Sequence, residues 1–95
     1  MKALGYVHAT RDYEWSAVGV WKDEKGYWIA TDSGCSCNWA FQYLDSEDNV
    51  DEVYDPTGPL TAQQARDEVS DLTAETSWYY GYDESDIREL LEAIT

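Results

Sequence analysis

Between Trp15 and Thr31 the chain is written as two β-strands joined by a tight turn, and no other segment limits the possible folds as strongly. Residues Trp15–Trp21 are small, β-branched or aromatic, with Val18 and Val20 on one face and Ala17, Gly19 and Trp21 on the other. Asp23-Glu24-Lys25-Gly26 supplies turn residues, and Tyr27-Trp28-Ile29-Ala30-Thr31 returns as the second strand. An earlier strand around Leu4–Ala9 is expected to pair with this hairpin across a Thr10-Arg11-Asp12 loop. Trp39–Leu44 is a candidate fourth strand, although its pattern also suits a helical turn.

The second half reads as helices. Thr61 and Gln64 fit a capping box, and Ala62, Ala65, Val69 and Leu72 form one helical stripe, which predicts a helix over about 61–73. Asp83 or Ser85 can cap a second helix in which Ile87, Leu90, Leu91 and Ile94 recur at helical spacing. Each stripe needs an apolar surface to cover, and the hairpin offers one. The expected fold class is α+β, a small antiparallel sheet of three or four strands with two helices packed on one face. At 95 residues this is a single domain, divided into a strand-rich part, 1–44, and a helical part, 45–95. Pro56 and Pro59 bracket Thr57-Gly58 in what reads as a loop-rich seam between them.

Charge follows the same division. Residues 1–44 carry four bases and five acids, whereas residues 45–95 hold only Arg66 and Arg88 against fifteen acids, within a net charge of −14 for the chain. That balance argues against direct binding to nucleic-acid phosphates or anionic lipid and favours a cationic partner. Asp67, Glu68, Asp71 and Glu75 fall at helical spacings that gather carboxylates on the polar side of the first helix. Such a row would attract a basic groove, including one built for DNA, so the chain is expected to be a protein-binding modulator, with DNA mimicry as the sharp form. An acidic surface that only keeps the protein soluble is the competing reading. Trp78, Tyr79, Tyr80 and Tyr82 concentrate aromatics between the two helices, either as a plug over the core or as a partner contact.

Catalytic constellations are thin. His8 is the lone histidine, there is no phosphate-binding glycine loop, and no recognisable motif pairs two carboxylates; no enzyme and no cofactor is expected. The acidic run from Asp45 to Glu52 fails as an EF-hand, because its sixth position is Val50 and its twelfth is Pro56. Cys35 and Cys37, two residues apart, close almost no loop, so reduced thiols are expected. A metal-binding or redox role for Cys35 and Cys37, with His8 as the available imidazole, stays open as the alternative. The start of the chain lacks an uninterrupted apolar core of signal-peptide type, and no stretch approaches membrane-span length, so a cytoplasmic protein is expected.

The string Tyr27-Trp28-Ile29-Ala30-Thr31-Asp32-Ser33-Gly34-Cys35-Ser36-Cys37 resembles the aromatic strand and SDSGCSC-type segment of small proteins encoded by phages of actinobacteria. The likeness covers about a dozen residues, and Asn38 stands where that family has a proline. It implies a phage accessory protein that acts inside a bacterial host, and it carries no catalytic residues with it.

Overall fold

The computed structural model describes residues 1–36, 38–44, 50–75, 77 and 79–95. The aromatic hairpin forms and extends past its apolar stretch, with β2 (Glu14–Asp23) pairing residue for residue with β3 (Gly26–Cys35). Its turn is closed by Asp23, whose Oδ1 accepts the N–H groups of Lys25 at 2.9 Å and Gly26 at 3.2 Å. Gly26 has φ +148°, and a Cβ there would lie 2.6 Å from the Leu60 carbonyl oxygen, so both backbone angle and space require glycine. β1 (Lys2–Arg11) precedes the hairpin and pairs antiparallel with β2, with a bulge between Ala3 and Gly5. The connection from β1 to β2 is the two-residue turn Asp12-Tyr13, and Asp12 accepts a left-handed φ of 56°.

Two expectations about the middle of the chain are corrected. Trp39–Leu44 is neither strand nor helix but a run of turns. Phe41 there takes a left-handed φ of 56° and gives its N–H to Asp32 Oδ2 at 2.8 Å, a bond that removes it from any ladder. The fourth strand is instead β4 (Thr57–Leu60), inside the proline-bracketed stretch read as loop. β4 follows a single helical turn, α1 (Val50–Val53), and pairs with β3 at Tyr27↔Leu60 and Ile29↔Thr57. It tolerates Pro59 because it is the sheet edge, where a missing N–H costs no ladder bond. The sheet order is β1-β2-β3-β4, antiparallel throughout.

α2 (Ala62–Glu75) and α3 (Glu84–Ala93) both cover one face of this sheet, as expected. Both residues of the capping box act at the start of α2: Thr61 Oγ1 accepts the Gln64 N–H at 3.2 Å, and Gln64 Oε1 accepts the Thr61 N–H at 2.9 Å. Asp83 caps α3 by accepting the N–H and hydroxyl of Ser85. The buried stripe residues Ala65, Val69, Leu90 and Ile94 meet Val7, Val18, Val20, Tyr27 and Ile29 in one core. The helices run antiparallel, and the end of the chain folds back on the start of α2. The Arg66 Nε donates to the Ile94 carbonyl at 3.0 Å, and the Tyr27 hydroxyl donates to the Thr95 carbonyl.

The opposite face of the sheet is covered as well. Trp15, Ala17, Trp21 and Ala30 pack under Phe41 and Val50, so the loop after β3 and α1 act as a second lid. Phe41 sits edge-on to Trp21 and Tyr54 at ring distances of 5.1 and 5.2 Å. Beneath them Gly19 admits the rings: a Cβ there would lie 2.7 Å from Trp21 and 3.0 Å from Phe41. β2 is consequently buried on both faces, and the sheet is sandwiched between a helical layer and an aromatic one.

Candidate functional site

The helical layer carries the charge. Asp67, Asp71 and Glu75 are exposed at successive turns of α2, with Asp67 bonded by the Gln63 amide at 3.0 Å; Glu68 is half-buried and stands off this row. The sequence reading placed the neighbouring helix but left its acids out of the candidate site, and Glu84, Asp86, Glu89 and Glu92 there are all exposed. Because α3 returns antiparallel beside α2 with its amphipathic stripe buried inward, its acids face outward on the same helical layer, Asp86 and Glu89 toward the β1 edge. The periodicity that located Ile87, Leu90 and Ile94 fixes the polar face of α3 too, so this half of the surface was available in the sequence. Of the two arginines, Arg66 is half-buried and engaged by the Ile94 carbonyl, which leaves Arg88 as the exposed base of the layer.

The described tyrosines of the aromatic cluster between the helices are half-buried. Tyr79 is docked on the end of the β1–β2 hairpin, with the Arg11 guanidinium 4.5 Å from its ring centre and its hydroxyl donating to Glu14 Oε2 at 2.9 Å. That bond to the Glu14 carboxylate holds the Tyr79 hydroxyl above its ordinary pKa. Tyr80 stacks edge-on against Tyr79 at 4.8 Å, and Tyr82 packs on the helical core. Trp78 lies outside the described residues.

Exposed aromatics occur elsewhere, on the second lid and the strand beside it: Trp39, Tyr43 and Tyr6 are 69%, 63% and 54% exposed. The loop that presents Trp39 and Tyr43 is tied down at nearly every step. Asn38 N–H bonds the Cys35 carbonyl at 3.0 Å, Trp39 N–H bonds Gln42 Oε1 at 3.2 Å, and Tyr43 N–H bonds the Tyr54 hydroxyl at 3.2 Å. Trp39 forms a ridge between grooves of about 250 and 110 Å³. Sequence reasoning missed this surface because it read Trp39–Leu44 as a candidate strand or helical turn, and a strand would have put Trp39, Phe41 and Tyr43, at alternate positions, on a single face.

The fold does not bring His8 to Cys35. His8 lies opposite Ala17 on β2, which lies opposite Asp32 on β3, so His8 and Cys35 are two strands apart across the sheet and three residues apart along it. That is about 10 Å in each direction. Among the described residues no three His, Cys, Asp or Glu side chains are close enough to hold a metal ion. Cys35 is exposed, with its thiol 3.3 Å from Asn38 Oδ1, while Cys37 and the acidic stretch 45–49 lie outside the described residues. No helix among the described residues is long and apolar enough to cross a membrane.

No curated protein and no solved structure matches the chain. A family described as Domain of unknown function (DUF7574) matches it over residues 1–95, its whole length, and the protein belongs to that family.

Proposed function

We propose that this is a non-enzymatic interaction protein that engages a basic surface through the outer face of α2 and α3, in the manner of a DNA mimic. The observation that carries the reading is the antiparallel pairing of two helices that each bring four carboxylates and one arginine, with seven of those eight carboxylates exposed. A row of carboxylates on α2 beside further exposed carboxylates on α3 is what a protein evolved to hold a duplex backbone would accept. The resemblance carried by residues 27–37 supports an accessory protein of phage type acting inside a bacterial cell, where such grooves belong to host DNA-binding proteins. Binding should be salt-sensitive, because exposed charges act across a Debye length of about 8 Å at physiological ionic strength.

The test is competition. The protein immobilised in bacterial lysate should capture a partner that is released both by moderate salt and by added duplex DNA, and the D67N/D71N/E75Q variant should capture it poorly. Capture that duplex DNA does not displace, or that the triple variant retains in full, would contradict the proposal.

A further inference from the structure

Among the described residues the strand order leaves β1 as an edge, paired only with β2. At the other edge β4 is blunted by its length of four residues and by Pro59. β1 has neither protection: it is ten residues long, contains no proline, and has no Asp, Glu, Lys or Arg between Lys2 and Arg11. Counting back from the two-residue turn, Arg11, Ala9 and Val7 form the hydrogen-bonded pairs with Glu14, Ser16 and Val18. The N–H and C=O groups of Tyr6, His8 and Thr10 therefore point away from the sheet. Among the described residues nothing bonds them.

Both sides of this edge are shaped. On the helix side, Leu4, Gly5 and Leu90 line a groove of about 310 Å³ whose rim carries the carboxylates of Asp86 and Glu89. On the other side, Tyr6, His8 and Thr10 border the groove of about 250 Å³ beside Trp39. A strand laid along β1 would send alternate side chains to these two sides. Those passing Leu90 meet an apolar floor with carboxylates at its end, which suits the stem and head of lysine or arginine. Those on the opposite side meet aromatic rings and suit apolar residues. Pairing with a second copy of the chain is disfavoured, since it would bring together two molecules of charge −14.

We propose that the β1 edge takes up an extended segment of the partner as a fifth strand, with cationic and apolar side chains alternating along it. The inference rests on the reading above that the partner is basic. Main-chain bonds to Tyr6, His8 and Thr10 supply the grip, and the Asp86–Glu89 rim selects the charge.

The probe is the peptide acetyl-Lys-Val-Lys-Val-Lys-Val-amide, followed by backbone amide chemical shifts and hydrogen exchange of the intact protein. Binding should shift and protect the amides of Tyr6, His8 and Thr10, and the peptide with glutamate in place of lysine should not bind. The D86N/E89Q variant should weaken binding by about tenfold or more, roughly 1.4 kcal/mol. The charge-matched D67N/D71N variant should leave it nearly unchanged. His8→Pro, which removes one outward N–H and no bond to β2, should weaken it as well while leaving the melting transition cooperative. If His8→Pro fails to fold, the two charge variants still decide. Shifts confined to the outer face of α2, equal losses in both charge variants, or no binding would overturn the proposal. A peptide-free dimer seen by sedimentation would overturn it in favour of a second copy at the edge. Loss of peptide binding with DNA-competed capture intact removes this inference alone; loss of both removes the acidic-face reading too.

Discussion

Gly19 and Gly81 show how differently one added carbon is received in this chain. At Gly19 it would meet the Trp21 and Phe41 rings at 2.7–3.0 Å, inside a layer with no space to yield, so Gly19→Ala should cost about 1–3 kcal/mol in chemical denaturation. At Gly81 nothing lies within 4 Å and φ is not positive, so Gly81→Ala should be neutral or stabilise by up to about 1 kcal/mol. A second prediction at this scale concerns Tyr79. Its bond to Glu14, followed by burial, raises its pKa in the folded state. The folded chain therefore holds this proton where the unfolded chain has released it, and the stabilisation is complete below the unfolded value of about 10. It is lost as pH climbs from there through the higher folded value. The melting temperature should fall over that range, and Tyr79→Phe should flatten the fall. A Tyr79 hydroxyl that titrates with the exposed tyrosines by ultraviolet absorbance would show that the Glu14 bond does not hold in solution.

At the scale of elements, what was legible was what depends on neighbours in sequence. The hairpin turn needs only Asp23 and Gly26, the start of α2 only Thr61 and Gln64, and the α3 stripe only its own period. Thr61→Ala should cost about 1 kcal/mol through loss of the cap. Ile94→Ala should cost about 2–5 kcal/mol, because Ile94 is wholly buried although it lies next to the chain end. A loss at Ile94 no greater than at an exposed position would mean that the end of the chain is frayed from the core. What was not legible was decided by tertiary partners. Phe41 leaves the β region because Asp32, nine residues earlier, takes its N–H and because the Trp21 and Tyr54 rings receive it. Thr57–Leu60 becomes a strand despite Pro59 because an edge of β3 was available to it. The candidate site divides along the same line: the α2 acids follow from helical spacing, whereas the exposure of Trp39 and Tyr43 depends on a loop held by Gln42 and Tyr54.

The whole molecule is a sheet covered on both faces, with an aromatic layer on one side and acidic helices on the other, and the proposed function depends on whether the acids of those helices act together. Carboxylates gathered on one face repel one another and destabilise the native state in dilute buffer, while screening relieves the repulsion. Dispersed carboxylates would do neither. The same proximity that strains the fold is what would make the face attractive to a basic groove, so one quantity reports on both. That quantity is the melting temperature of the wild-type chain and of D67N/D71N/E75Q, measured from dilute buffer to moderate monovalent salt. The wild-type value should rise with salt, and the variant should start higher and rise less. A wild-type value that stays flat or falls, with the variant running parallel to it, would contradict the existence of a single acidic face and the DNA-mimic reading that depends on it.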